Sequence, residues 1–436
     1  MNTRFYNAKI LTIKPDKSFE VIEGELWVHG NKICYVGDGT GKEEVYKDLN
    51  TNVLIWDREI DTKGNLLMPG FKNAHTHSAM TAFRSLADDL PLQEWLFQKI
   101  FPLEAKLLPE DVYWLTSLAN MEYLTSGITA QFDMYLFQDE VARASIDCGF
   151  RTVQTSGLNN FGGTIEELEE KYLRLRDIHE LCSYTIGFHA EYTTSLPLME
   201  DIAKLVHKYK SPMFVHNSET KLETDECRER HGLSPTQLFD KLGMYEFGGG
   251  GYHCVWFDEK DIDIFAQKGL TAVTNPGSNS KLASGIAPIH QMLQKGVNLA
   301  IGTDGASSNN CLDMFREMFL VSSMAKLREM DAAVLDGDDV LYMAMAGGAK
   351  AMGLDDCDNL APGKKADIIM IDLKQPNMQP INNLTKNIVY SGSKQNVKMT
   401  MINGKVLYED QKFHIGLDPE DIYQNANKII ERIKQD

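Results

Sequence analysis

Eight short apolar runs, each followed by a longer amphipathic stretch, dominate the middle of the chain. The runs are Leu66–His75, Gly127–Met134, Arg151–Ser156, Tyr184–His189, Pro212–His216, Gly251–Val255, Leu270–Thr274 and Val297–Thr303. Helical spacing fills intervals between them, as at Pro109–Ser126, Ile165–Leu181, Leu196–Tyr209, Glu259–Lys268 and Pro288–Lys295. A strand followed by a helix, repeated eight times, has few solutions. Neighbouring parallel strands need a crossover that returns the chain to the same end of the sheet, and a helix supplies it. The repeat therefore predicts an α/β fold, a distorted (β/α)8 TIM barrel.

The flanks read differently. Thr3–Ile13, Glu25–His29, Lys32–Val36 and Val53–Asp61 are rich in β-branched and aromatic residues, with turn residues between them. Ala366–Ile371 and Val397–Ile402 match them near the other end, and Asn403-Gly404 is a hairpin signal. Chain ends often lie close together. The expectation is a small β-sandwich domain built from residues 1–64 and 360–436, beside a barrel of residues 65–359. Pro419–Lys434 has helical spacing.

In such barrels the chemistry sits at the C-terminal ends of the strands. The predicted strand ends carry His75 and His77, Asp133, His189, His216, His253, Asn275 and Asp304. His75 and His77 are two residues apart, so in a strand both imidazoles point to one side. Imidazole nitrogens with one carboxylate suit a divalent metal ion, Zn2+ first, with Fe2+, Ni2+ or Mn2+ as alternatives. The expected ligands are His75, His77, His216 and Asp304. A catalytic metal site keeps one position for water, whose pKa falls to roughly 7. Glu219, three residues past His216, is placed to move a proton, and His253 to stabilise charge at the reacting centre.

Each feature has a plainer explanation when taken alone. A single H-x-H is often incidental, and Gly-Thr-Asp-Gly around Asp304 is good turn chemistry. Their coincidence at successive strand ends is what argues for a site. His189-Ala190-Glu191 lacks the cysteine half of a cytidine-type deaminase signature. Gly248–Gly251 lacks the following lysine of a phosphate loop and reads as a flexible entry to the sixth strand. Met314, Phe315, Met318 and Phe319 have helical spacing and read as core. His29, His179, His207, His231, His290 and His414 read as surface or packing residues.

The net charge of −18 argues against nucleic acid or an anionic membrane as partner. No apolar run approaches membrane-spanning length, and the seven cysteines form no C-x-x-C pair. Free thiols in a cytoplasmic protein are expected. The expected partner is a small-molecule substrate, and the expected assembly a homo-oligomer.

The motifs Pro69-Gly70…His75-Thr76-His77, His216…Glu219, His253-Cys254-Val255, Asn275–Gly285, Gly302–Asn310 and Leu360–Asp367 resemble the amidohydrolase superfamily across nearly the whole chain. They are most similar to its 5′-methylthioadenosine/S-adenosylhomocysteine deaminase branch, near the chlorohydrolases. The resemblance implies a hydrolase of C–N bonds in cyclic amidines. Its expected substrate is an adenosine-type nucleoside: 5′-methylthioadenosine, 5′-deoxyadenosine, adenosine or S-adenosylhomocysteine. The alternative is another amino-heterocycle, of guanine, pterin, cytosine or s-triazine type.

It also implies one metal, since the fourth strand ends in His189 rather than the lysine of binuclear relatives. Glu219 and His253 match the proton-shuttling residues, and Asp304 an acceptor of the water proton. Trp95 matches an aromatic wall, Glu104 a ribose-holding carboxylate, and His189 a position near the sugar, with Glu219 at the purine. Where that branch carries arginines toward the substrate's distal group, this chain has Ser156 and Thr164, with Arg151 nearby. Losing a bidentate cation weakens recognition of a carboxylate by roughly 1–3 kcal/mol.

Overall fold

A computed structural model describes residues 1–48 and 54–435. Eight parallel strands stand side by side in chain order: Phe71–Thr76, Ile128–Met134, Arg151–Thr155, Cys182–Ala190, Met213–Asn217, Gly249–His253, Thr271–Thr274 and Asn298–Ile301. The ladder runs unbroken from first to last. The last and first strands lie together without a ladder among the described residues. Two side chains cross this seam. The Asn73 amide donates to Thr303 Oγ1 at 2.7 Å, and the Thr303 N–H donates back to Asn73 Oδ1 at 2.8 Å.

The chain ends share one sheet of nine strands. Its order is Lys412–Phe413, Lys405–Glu409, Val397–Ile402, Ile368–Ile371, Leu66–Pro69, Asn2–Ile13, Phe19–His29 and Lys32–Gly37, with Arg58–Asp61 also paired to Asn2–Ile13. Asn403 and Gly404 turn the hairpin with φ of 52° and 77°, which the I′ geometry requires. Of the predicted run Val53–Asp61, Val53 lies outside the described residues, and only Arg58–Asp61 is strand.

The predicted run Leu66–His75 is two strands. Leu66–Pro69 pairs with Asn2–Ile13 and Ile368–Ile371, whereas Phe71–Thr76 opens the barrel. The hinge is Gly70, where a Cβ would stand 2.1 Å from a Thr129 methyl. Gly249 to Gly251 are the body of the sixth strand rather than a flexible entry. A Cβ at Gly249 would meet the Met213 carbonyl oxygen, and one at Gly250 that of Thr271, each at 2.0 Å. Close backbone approach, not mobility, selects glycine there.

Helices Leu196–Tyr209 and Glu259–Lys268 have the expected bounds, while Ile165–Leu175 ends before Leu181. In helix Met314–Glu329, Met314, Phe315 and Met318 are buried, but Phe319 faces solvent. Helix Pro419–Gln435 returns to the barrel. Ile429 and Ile433 pack in one cluster with Trp95, Leu96 and Ile100. Lys106 Nζ donates to the Ile433 carbonyl at 3.0 Å, and Arg432 pairs with Asp111. No described helix is long and apolar enough to cross a membrane.

Candidate active site

The two histidines of the first strand converge with groups from the fifth and eighth. Nε2 of His77 lies 3.2 Å from Asp304 Oδ1 and 3.3 Å from His216 Nε2. Nε2 of His75 lies 3.6 Å from the same Asp304 oxygen. His75, His77 and Asp304 form one cluster of metal-competent atoms, and His75, His216 and His253 another.

The outer nitrogens fix the tautomers. His77 Nδ1 donates to the Met134 carbonyl at 2.5 Å, and His216 Nδ1 donates to the His189 carbonyl at 2.7 Å. With Nδ1 donating outward, each Nε2 faces the centre, the nitrogen a ligating imidazole would offer to an ion. His75 is fully buried, stacked on Tyr252 at 3.8 Å, and neither of its nitrogens has a hydrogen-bond partner. Unpaired buried nitrogens are costly, and three inward imidazoles beside a carboxylate fit a divalent ion.

Electrostatics split the donors: burial lowers His77, but its bond to Asp304 and that carboxylate's charge raise it to about 9, whereas His216 and His75 are held neutral. Burial, then the neighbouring imidazoles, pushes His216 well below its ordinary value. Burial and His77 do the same to His75. Burial would raise Asp304, but the bond and charge of His77 hold it well below the usual carboxylate range. Asp304 Oδ2 accepts from Ser278 Oγ at 2.6 Å and Ser308 Oγ at 2.9 Å, and Oδ1 from the Gly305 N–H at 2.8 Å.

Glu219 and His253 stand over this centre, with Glu219 Oε2 3.8 Å from His253 Nε2. His253 Nδ1 donates to Asn279 Oδ1 at 2.7 Å, which turns Nε2 inward. Glu219 occupies the turn before helix Lys221–His231. Glu223 in the first turn of that helix accepts from the Glu219 N–H at 2.7 Å and the Ser218 N–H at 3.2 Å. Burial, against the charge of His253, raises Glu219. Ser218, His253 and Asp304 have φ of 52°, 69° and 59°. Left-handed backbone in non-glycine residues costs of order 1–3 kcal/mol each and concentrates at functional sites.

The centre is the floor of a cavity of about 810 Å³. Trp95, Glu104, Ser156, Thr164, His189 and Tyr135 are among its walls. Trp95 begins a π-helical turn, Trp95–Ile100, a form frequent at functional sites. Burial raises Glu104 to about 7, opposed by the neighbouring Tyr135 hydroxyl and His77. His189 Nδ1 shares a hydrogen with Thr193 Oγ1 at 2.8 Å. Phe97, Phe101 and Phe161 make an aromatic rim, Phe97 to Phe101 edge-on at 5.3 Å.

The structure leaves three polar residues out of the cavity. Arg151 does not reach in. It starts the third strand and pairs bidentately with buried Asp367, at 2.7 and 3.0 Å. Asp133 is buried and receives the Ser78 N–H and hydroxyl, both at 2.8 Å. Asn275 is fully buried, and neither polar atom of its side chain has a hydrogen-bond partner. Ser156 and Thr164 line the wall, but both hydroxyls accept local N–H groups, from Leu158 and Glu167. Ser278, Ser308, Asn279 and Tyr252 were missed by sequence reasoning. The first three lie within Asn275–Gly285 and Gly302–Asn310, so motif membership was their only signal.

A model of the amidohydrolase family matches residues 66–407. The 5-methylthioadenosine/S-adenosylhomocysteine deaminase of Thermococcus onnurineus is 38% identical over 403 residues, covering 91% of this chain and 92% of its own. The 5′-deoxyadenosine deaminase of Methanobrevibacter smithii is 36% identical over 427 residues, covering 96% and 95%. Among solved structures, an adenosine deaminase from Xanthomonas campestris with bound zinc superposes with a TM-score of 0.91. It is 31% identical and covers 100% of this chain and 99% of its own.

Proposed function

The chain belongs to the amidohydrolase family, and we propose that it is a zinc-dependent deaminase of adenosine-type nucleosides. It is a hydrolase of C–N bonds in cyclic amidines. One observation carries the nucleoside reading: Glu104 and Trp95 wall the same cavity that His77, His216 and Asp304 line. An aromatic face and a carboxylate beside it suit a purine and its ribose hydroxyls.

His75, His77, His216 and Asp304 would hold the ion. A divalent ion bound there supplies Lewis acidity and makes water acidic near neutral pH. Glu219 takes a proton from the attacking water and delivers it to the ring nitrogen beside the amino-bearing carbon. His253, oriented by Asn279, stabilises the oxygen as it adds to that carbon. Asp304 takes the second proton for the departing amine. The C–N bond breaks, ammonia leaves, and the ring keeps the oxygen, giving an inosine-type product. His189 and Trp95 hold the nucleoside while these transfers occur.

The net charge of −18 and seven free cysteines support a cytoplasmic setting. Ammonia release is the direct test, with zinc-loaded protein against adenosine, 5′-deoxyadenosine, 5′-methylthioadenosine and S-adenosylhomocysteine. Turnover of one or more is expected, and turnover of none overturns the nucleoside reading.

A further inference from the structure

Glu317 lies on helix Met314–Glu329, outside the cavity, and is completely buried. A buried carboxylate is expensive unless its oxygens are engaged. Here each oxygen takes one donor, and the two donors come from different segments. Oε2 accepts the Gly277 N–H at 2.9 Å, in the short helix Pro276–Lys281 that follows the seventh strand. Oε1 accepts the Asn309 amide at 2.8 Å, in the loop after the eighth. The Asn309 amide also donates to the Thr303 carbonyl at 2.7 Å, next to Asp304.

The residues adjoining these contacts do the orienting at the site. Ser278, next to Gly277, donates to Asp304 Oδ2 at 2.6 Å, and Asn279 holds His253 Nδ1 at 2.7 Å. The seat is tight: a Cβ at Gly277 would stand 2.4 Å from Glu317 Oε1 and 2.5 Å from Asn309 Oδ1. Burial raises Glu317 to about 8, while its Gly277 and Asn309 bonds pull the other way.

We infer that Glu317 is a positioning residue that sets Asp304 and His253 at once, by clamping the segments after the seventh and eighth strands to each other. The inference rests on the roles proposed for Asp304 and His253. Groups that bond a ligating residue directly are worth about 10- to 100-fold in metal affinity or activity, and Glu317 acts one contact further out. A glutamate that served only to fill the core would make no such difference.

The test compares Glu317→Gln, nearly isosteric but with one acceptor replaced by a donor, with Met318→Ala, a buried core change on the same helix. Zinc affinity is read by chelator competition, and kcat and KM for adenosine at saturating zinc. Glu317→Gln is expected to weaken zinc binding about tenfold and lower kcat about tenfold, with KM within twofold. Met318→Ala is expected to lower Tm without either loss. Asn309→Ala breaks the clamp from the other side and is expected to repeat the Glu317→Gln pattern, which keeps the test open if one variant fails to fold. Unchanged zinc affinity in both clamp variants, or equal losses in Met318→Ala, overturns the inference. If wild type binds zinc but turns over no nucleoside, the proposed function fails and zinc affinity alone still decides on Glu317.

Discussion

The backbone N–H of Asp304 donates to the carbonyl of His75 at 3.0 Å. This bond joins the eighth barrel strand to the first where no ladder does, and each residue carries a side chain of the candidate metal cluster. Seam and cluster are therefore one piece of structure. His77 and Thr76 share it, since the Thr76 hydroxyl donates to the Asp304 carbonyl at 3.0 Å.

Removing the ion should abolish turnover and loosen the fold together. Chelator-treated protein is expected to lose ammonia release and recover it on adding zinc. Its Tm should rise with zinc, since a ligand at a thousand times its Kd adds about 4 kcal/mol to stability. Calorimetry with and without zinc checks this; a Tm indifferent to zinc would contradict it.

Glu219→Gln should separate chemistry from metal binding. The amide cannot accept and release the proton, so kcat is expected to fall about 10²- to 10⁴-fold. Metal content by elemental analysis should match wild type, because Glu219 is not among the four expected ligands.

Glu104 sets a pH dependence. Its folded value is about 7, above the ordinary 4.5, chiefly through burial. Below 7 the carboxyl is neutral; above it, the carboxylate accepts from both ribose hydroxyls. For ribosides, kcat/KM should rise as pH passes upward through about 7, and Glu104→Gln should flatten that rise. Glu104→Ala should depress ribosides more than free amino-heterocycles. Equal loss for both would favour the heterocycle alternative.

Asp367→Ala should destabilise without touching the chemistry. It strands buried Arg151, and breaking a buried pair by removing one partner costs about 3–5 kcal/mol. Urea unfolding should show the loss, while zinc content and KM stay near wild type.

The barrel was legible because its strands are apolar, β-rich and regularly spaced, and because strand ends carry the only clustered histidines. The structure brings His77 Nε2 within 3.3 Å of both Asp304 and His216, with His75 beside them. The sixth strand was not legible at Gly249 to Gly251. Glycine has no strand propensity, and the neighbouring backbones that demand it come from Met213 and Thr271, distant in sequence. Gly70 hid a boundary for the same reason, its constraint being Thr129. Glu317 was invisible because one glutamate amid Met314, Phe315 and Met318 reads as the wet face of a helix. Its partners are fixed only when two segments meet. Arg151 misled because proximity in sequence to Ser156 places it at the opposite end of the same strand.

Helix Pro419–Gln435 braces the segment from Trp95 to Lys106, so the substrate wall leans on a helix remote from it in sequence. Every expected metal ligand precedes residue 305, whereas the substrate wall is backed by residues near 430. A protein trimmed just before Pro419 should retain zinc yet show a raised KM for ribosides, and a KM unchanged by trimming would refute it. The helix would then tune the grip on substrate from behind its wall, apart from the groups that do the chemistry.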